Sequence, residues 1–166
     1  FALISVSRFD SNPDISFQFP LYHMNVPRSW SEGIAQYGAR KFGYDRWDSH
    51  RDMLLRMAVL EDDLLSWEEM GTVFGRSGKY YGELIYNQGY AMLLYIEDQY
   101  GAEKVDALTH HVGAMSFDPA IERVLGITAD QFYDDWIAYL SESYERLQRD
   151  RKSTRLNSSH LVISYA

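Results

Sequence analysis

One carboxylate in this chain stands in a context that could give it a chemical role. The stretch from Pro27 to Tyr37, PRSWSEGIAQY, reads as the start of a helix. Three of its apolar residues recur at helical spacing on one face: Trp30, Ile34 and Tyr37. We expect Glu32 on that face, followed directly by Gly33. Inside a helix, glycine is less stable than alanine by roughly 1 kcal/mol. The glycine predicts close approach of another backbone or a ligand, and a buried carboxylate needs a cation, a donor or a proton.

The pattern P-x-x-W-x-E-G-I-A-x-Y of this stretch resembles the glutamate helix of the gluzincin zinc metallopeptidases, in particular the peptidase MA-like proteins. The resemblance extends from about 19 to 147 and includes Trp47–Met53 and Tyr86–Tyr90. It implies that Glu32 is the third protein ligand of one zinc ion, after the two histidines of an H-E-x-x-H helix. No H-E-x-x-H occurs in the sequence, so two ligands and the general base are missing. The simpler alternative for Glu32 is an acid that favours the helix N-terminus.

A second candidate is Tyr86. The stretch Tyr86-Asn87-Gln88-Gly89 is similar to the Y-x-x-G stretch of aminopeptidase-type gluzincins, which implies that the Tyr86 hydroxyl binds the oxyanion of the tetrahedral intermediate. A phenol suits that role because its hydrogen bond strengthens as negative charge develops on the acceptor. Gly89 would let this helix approach the helix of Glu32 closely. The alternative is a tyrosine packed in a tyrosine-rich core, with its hydroxyl bonded locally.

Other polar residues could bind a metal or line a pocket, but each has a simpler structural explanation. Four of them crowd the start of one helix: Asp45, Asp48, His50 and Asp52. Acids in a first turn favour the helix dipole and are usually solvated. His110 and His111 are adjacent, so they point about 100° apart on one helix and cannot share a tetrahedral metal; we expect them at the surface. Weaker candidates are the loop residue His23 and, as pocket lining, Glu83 and Asn87.

Composition limits the class of protein. The chain has 166 residues, 46% hydrophobic and 15% aromatic with 13 tyrosines, which is enough for one domain with a real core. A formal net charge of -8 argues against nucleic acid as a partner. The absence of cysteine excludes disulfides and thiolate metal sites. Since no run of eighteen apolar residues occurs, we expect no membrane-spanning segment.

The two ends of the sequence carry separate signals. The chain begins at Phe1 without methionine or a targeting pattern. Together with the missing histidine helix, this predicts a fragment of a longer reading frame, with 1–149 as a partial peptidase MA-like domain. Residues 150–166 turn basic and serine-rich and resemble the translation of a sequencing adapter. We therefore expect the last helix to end near Arg149 and the tail to have no part in fold or function.

From Arg28 onward the patterns predict a mainly α protein, a helical bundle with short loops, preceded by a short extended segment over 1–22. Three glycines predict helix ends: Gly43, Gly101 and Gly126. Capping boxes at Ser66–Glu69 and Thr128–Gln131 predict helix starts, and Asp45 and Asp118 are predicted N-caps. Further helices are predicted over 102–115 and over 80–100, and the second of these should lie at the middle of the bundle because its centre, Ala91–Ile96, is apolar nearly all round.

The resemblance implies a parent protein that hydrolyses peptide bonds in a peptide or protein substrate with zinc-activated water. Family members are typically bacterial and exported, often with β-propeller repeats after the catalytic domain, so we expect an extracytoplasmic parent. This chain should lack peptidase activity and bind no zinc tightly, because one carboxylate and a stray histidine are too few ligands. The alternative function is a non-catalytic helical module whose acidic, aromatic-rich surface binds a protein or carbohydrate, with Glu32 only a helix cap.

Overall fold

The computed structural model describes residues 27–71, 81–112 and 115–163, with side chains up to Leu147 and at Arg149. Within these ranges the chain forms seven helices and no strand. They are α1 (Arg28–Lys41), α2 (Ser49–Leu60), α3 (Trp67–Gly71), α4 (Tyr81–Tyr100), α5 (Ala102–His111), α6 (Phe117–Leu125) and α7 (Ala129–Ile163). The predicted mainly α bundle is confirmed. The extended segment predicted over 1–22 lies outside the described residues, and none of the described helices is long and apolar enough to cross a membrane.

Local signals predict several helix ends correctly. The φ angles of Gly43, Gly101 and Gly126 are 77°, 95° and 79°, a region that favours glycine, and each residue follows directly on a helix or its cap. At the start of α3, the backbone N–H of Ser66 donates to the Glu69 carboxylate at 2.9 Å. The backbone N–H of Glu69 donates in return to the Ser66 hydroxyl at 3.2 Å. This capping box is therefore confirmed.

The N-cap of α2 is Asp48, so the prediction of Asp45 is wrong. The Asp48 carboxylate accepts the backbone N–H groups of His50 at 2.9 Å and Arg51 at 3.0 Å. Asp45 instead accepts a hydrogen bond from the Arg51 guanidinium at 2.8 Å, which holds the pKa of the Asp45 carboxyl below its usual value. Because the Asp45 carboxylate binds Arg51, it does not cap the helix, and α2 begins about one turn later with Asp48 as its N-cap.

The boundary between α5 and α6 also differs from the sequence prediction. α5 ends at His111 rather than near Met115, and α6 begins at Phe117 with Ser116 as N-cap rather than Asp118. Phe117 is buried against the rings of Trp30 and Trp67, with centroid distances of 4.9 Å and 5.5 Å. Asp118 accepts the indole N–H of Trp67 at 3.1 Å. Aromatic packing therefore sets the start of α6.

α7 continues to Ile163, beyond the end predicted near Arg149. The sequence from 129 to 163 contains no glycine or proline, although its composition changes at 150. Once a helix has nucleated, each added residue gains a hydrogen bond at little cost, so a polar composition alone does not end it.

The centre of the bundle is α4. Eleven of its residues between Leu84 and Ile96 are buried, which confirms the prediction that this apolar helix lies in the middle. α1, α2 and α5 pack against α4. Trp30 of α1 and Phe132 and Trp136 of α7 are also fully buried in the same core. The fold thus holds α1, which carries Glu32, directly against α4, which carries Tyr86.

Candidate functional site

α1 and α4 meet backbone to backbone at two glycines. A Cβ placed on Gly33 would lie 2.5 Å from the carbonyl carbon of Gly89 and 3.0 Å from the backbone nitrogen of Tyr90. A Cβ placed on Gly89 would overlap the backbone carbonyl of Ser29, with 2.7 Å to its carbon. The two predictions made from these glycines, that another backbone lies close to Gly33 and that Gly89 allows the two helices to approach, are confirmed.

The two helices run in the same direction from this crossing. Gly33 lies beside Gly89, and seven residues later the Arg40 guanidinium donates to the Glu97 carboxylate, eight residues after Gly89, at 2.6 Å. An antiparallel pair would place these two side chains far apart. Tyr37 is buried at the same end, and burial, together with the Glu97 carboxylate, raises the pKa of its phenol to about 12.

Glu32 is half-buried rather than buried in the apolar face. Its side chain is 32% exposed, and its carboxylate lies 4.0 Å from the Arg28 Nε one turn earlier. The physical reason is helical geometry: Glu32 is two residues from both Trp30 and Ile34, which places it about 200° around the helix from each. The prediction that Glu32 shares their face is therefore wrong, and its carboxylate remains accessible to a ligand.

Tyr86 lies on α4, three residues before Gly89, and is half-buried. Its hydroxyl forms no hydrogen bond with any residue in the described ranges. The central helix thus holds the Tyr86 ring, and the described residues leave its hydroxyl without a hydrogen bond. The local hydrogen bond expected for an ordinary core tyrosine is not found among these residues.

Helical geometry relates Glu32 to Tyr86. Viewed along the two parallel axes, Glu32 is about 100° from Gly33, and Tyr86 is about 60° from Gly89 in the opposite sense. Because the two glycines face each other, these offsets turn both side chains toward the same side of the crossing. Each lies within one helical turn of the contact. By ideal helix geometry, the Glu32 carboxylate and the Tyr86 phenol are therefore expected on one side of this closely packed pair.

The residues beside Tyr86 have structural roles. Gln88 is fully buried, and its side-chain amide donates to the Leu65 carbonyl at 3.1 Å and accepts the Leu65 N–H at 2.8 Å. The Tyr133 hydroxyl donates to the same carbonyl at 2.8 Å. Sequence reasoning missed Gln88, because nothing local marks the backbone that it binds. Asn87 is 1% exposed, and its Nδ2 finds no acceptor within the part of the chain described here.

The four polar residues at the start of α2 do not form a metal cluster. Asp45 and Asp48 are engaged with Arg51 and the helix end. Asp52 accepts a hydrogen bond from the Tyr144 hydroxyl at 3.2 Å, and His50 is exposed. No group of three or more His, Cys, Asp or Glu side chains that could hold a metal occurs in 27–71, 81–112 or 115–163, as far as side chains are described.

The remaining candidates are two histidines of α5, one acid of α4 and His23. His110 is exposed on α5, as expected, whereas His111 is half-buried with its Nδ1 2.9 Å from the Ala107 carbonyl. Glu83 is exposed in the first turn of α4. His23 lies outside the described residues. His110, His111 and Glu83 belong to no group of metal-binding side chains among the described residues.

A zinc site of the implied kind needs three protein ligands, of which Glu32 is one suitable oxygen donor. Its half-exposed carboxylate fits that role, but among the described residues it belongs to no group of three or more His, Cys, Asp or Glu side chains that could hold a metal. The two histidines would have to come from an H-E-x-x-H helix that this sequence does not contain. Comparison with protein-family models, with curated proteins and with solved structures finds no match for this chain.

Proposed function

We propose that this chain is the C-terminal part of the catalytic domain of a gluzincin-type zinc metallopeptidase-like protein. Glu32 is the carboxylate ligand of the zinc site, and Tyr86 is the donor to the oxyanion. The chain by itself is inactive, because it carries one of three metal ligands and no general base. The observation that carries the proposal is the glycine-to-glycine crossing of α1 and α4, with Glu32 next to one glycine in sequence and Tyr86 three residues before the other.

The close crossing supports the proposal because it shortens the distance between the axes of α1 and α4. Packed helices usually lie about 8–10 Å apart, and the side chains at the contact set that separation. With glycine on both helices, the backbones themselves touch. Glu32 and Tyr86 are then brought nearer than larger contact residues would allow, so both can reach the same bound group. A merely structural contact would not need both candidates beside the glycines.

The residues have distinct roles in this proposal. Zinc, when bound, lowers the pKa of a water molecule and polarises the substrate carbonyl. Glu32 contributes one carboxylate oxygen from α1, and the Arg28 Nε one turn earlier lies 4.0 Å from that carboxylate. The Tyr86 hydroxyl donates a hydrogen bond to the carbonyl oxygen of the substrate as negative charge develops there. The two hydrogen bonds from the buried Gln88 side chain to the backbone of Leu65, which we call the Gln88 clamp, hold α4 and so the Tyr86 phenol in place.

The test begins with the DNA upstream of the Phe1 codon. We expect it to encode H-E-x-x-H, and the extended protein to bind one zinc ion per chain, measured by metal analysis and calorimetry. Glu32→Gln should weaken zinc binding by about tenfold to a hundredfold or more. Glu122→Gln provides a matched control, since Glu122 is exposed on α6. Zinc affinity that does not respond to Glu32→Gln, or an upstream frame without H-E-x-x-H, would refute the proposal.

Tyr86 is tested separately in the same extended protein. Tyr86→Phe removes only the hydroxyl and should lower kcat about a hundredfold to a thousandfold, the usual effect of losing one oxyanion donor. Zinc binding should remain, because the phenol is not a ligand. Tyr81→Phe controls for loss of a hydroxyl on the same helix, since the Tyr81 hydroxyl instead donates to the Glu69 carbonyl at 3.2 Å. Equal kcat values for Tyr86→Phe and the parent would exclude the assigned role.

A further inference from the structure

The outer face of α2 carries a continuous line of large apolar side chains. Met53, Met57 and Leu60 are 38%, 40% and 50% exposed and lie at i, i+4 and i+7, which is one face of a helix. We call these three residues the α2 stripe. Leu54, Leu55 and Ala58 bury the inner face of the same helix. Singly exposed apolar residues are ordinary, but a contiguous line of them marks an interaction surface.

A shallow groove runs beside the stripe. Its apolar wall is formed by Leu54, Ala58 and Leu84, and Met57 of the stripe forms its edge. Two acids, Glu61 and Asp63, complete the lining at one end. Methionine is unbranched and polarisable, so it adapts to differently shaped apolar partners. Stripe and groove together form one apolar surface with an acidic end.

The acidic end lies where acids are least favoured. Glu61, Asp62 and Asp63 follow α2 directly and are exposed, although the C-terminus of a helix already carries partial negative charge. Asp62 also adopts a left-handed backbone with φ of 54°. No lysine or arginine of the described ranges forms an ion pair with Glu61 or Asp62. A cation supplied by a partner would be attracted to the carboxylates of Glu61 and Asp62.

We propose that the α2 stripe and its acidic end bind a basic amphipathic helix of a partner protein. Apolar side chains on successive turns of the partner lie along Met53, Met57 and Leu60, as in helix-in-groove recognition. A lysine or arginine of the partner meets Glu61 and Asp62. Two observations select this partner. One is the helical spacing of the α2 stripe, and the other is the negative charge of the acids at its end, in a chain of net charge -8. The interaction is independent of the proposed zinc site.

The first experiment uses two synthetic helical peptides of about 15 residues, the length at which isolated helices become stable. One has a leucine face and lysines elsewhere; the other replaces each leucine by alanine and keeps the charge. Fluorescence anisotropy with the full chain at physiological salt should show the leucine peptide binding at least about tenfold more tightly. Equal affinities would mean that charge alone attracts the peptides, and the proposal would be wrong.

The second experiment locates the binding surface. The triple variant Met53→Gln, Met57→Gln, Leu60→Gln should weaken binding of the leucine peptide about tenfold without changing the net charge. The control variant Phe42→Ser, Tyr44→Ser removes two aromatic residues that lie outside the stripe and are 78% and 88% exposed. It should bind the leucine peptide as tightly as the unsubstituted chain does. Equal binding by the triple variant would overturn the proposal. Since these residues are exposed, their polar variants should still fold, which circular dichroism can verify.

Methyl resonances give a readout at the level of single residues. With ¹³C-labelled methionine, peptide addition should shift the signals of Met53 and Met57 and leave the buried Met70 and Met92 unchanged. Glu61→Gln with Asp62→Asn should weaken binding and reduce its dependence on salt. Uniform shifts of all four signals, or a dimer that the triple variant dissociates, would show that the stripe is not a docking site for such a helix.

Discussion

The glycines at the α1–α4 crossing give the sharpest quantitative prediction. Gly89→Ala would place a methyl group on the backbone carbonyl of Ser29, and Gly33→Ala would place one 2.5 Å from the carbonyl carbon of Gly89. Both obstacles are main chain within helices, so rotation of a side chain cannot relieve the overlap. A carbon in ordinary contact needs about 3.5 Å. The helices would therefore have to separate by about 1 Å along their contact.

The expected cost follows from two opposing effects. Overpacking a close contact destabilises a protein by about 1–3 kcal/mol or more, whereas alanine gains about 1 kcal/mol over glycine inside a helix. Because the overlap here is with backbone, we expect overpacking to cost about 3–4 kcal/mol, so that after the gain of about 1 kcal/mol the unfolding free energy falls by about 2–3 kcal/mol for Gly89→Ala. For a chain of this length that lowers Tm by roughly 4–12 °C.

Each helix contains its own control glycine. A Cβ on Gly38 of α1 or on Gly82 of α4 meets nothing within 4 Å. Gly38→Ala and Gly82→Ala therefore gain helix propensity without a clash and should raise unfolding free energy by up to about 1 kcal/mol. Urea unfolding followed by circular dichroism measures all four variants under one set of conditions. The sign of the change should differ between the two glycines of the same helix.

Two results would refute this reasoning. If Gly33→Ala stabilised the protein as Gly38→Ala does, α1 and α4 could not be in backbone contact. The double variant Gly33→Ala, Gly89→Ala gives a second check, because helices separated by one methyl group have already made room for the other. We therefore expect the double variant to cost less than the sum of the single changes. Strict additivity would show that the two glycines do not share one contact.

Three further substitutions test other parts of the structure by urea unfolding. Gln88→Leu removes both hydrogen bonds to Leu65 and should cost about 2–4 kcal/mol, whereas Gln88→Leu without effect would contradict the clamp. Asp62→Gly should stabilise by about 1 kcal/mol, since φ of 54° suits glycine; Asp62→Ala should not. Arg51 lowers the pKa of Asp45 below 3.8, so this stabilisation is full above that pH and disappears as pH falls through the lowered pKa. Asp45→Asn should therefore cost no more than about 1 kcal/mol at pH 6 and progressively less as the pH falls below 3.8; a difference that stays constant with pH would refute the pairing.

Much of the fold was predictable because the signals are local. Gly43, Gly101 and Gly126 end helices through their own backbone freedom, and the Ser66–Glu69 box forms between residues three apart. The burial of the centre of α4 follows from the apolar composition of Ala91–Ile96. In each case the interaction partner is a neighbour in sequence or the solvent, so the sequence alone contains the information.

The helix starts that were mispredicted depend on distant or competing partners. Asp45 and Asp48 are both good caps by residue type, and the Arg51 guanidinium decides between them by binding Asp45. Asp118 followed by proline is a strong local signal, yet the burial of Phe117 against Trp30 and Trp67 starts α6 earlier. Burial of a large aromatic ring outweighs a single capping hydrogen bond.

By itself, the sequence determined that there would be a helical bundle, that α1 and α4 would carry the candidate carboxylate and phenol, and that each would have a glycine at a contact. Which residues meet was decided only by tertiary packing, because the pairing of Gly33 with Gly89 joins segments 56 residues apart. The position of Glu32 away from Trp30 follows from helical spacing alone, but only the tertiary structure shows that its side chain is half-exposed. Helical period predicts a face, but only the neighbouring helix determines what that face touches.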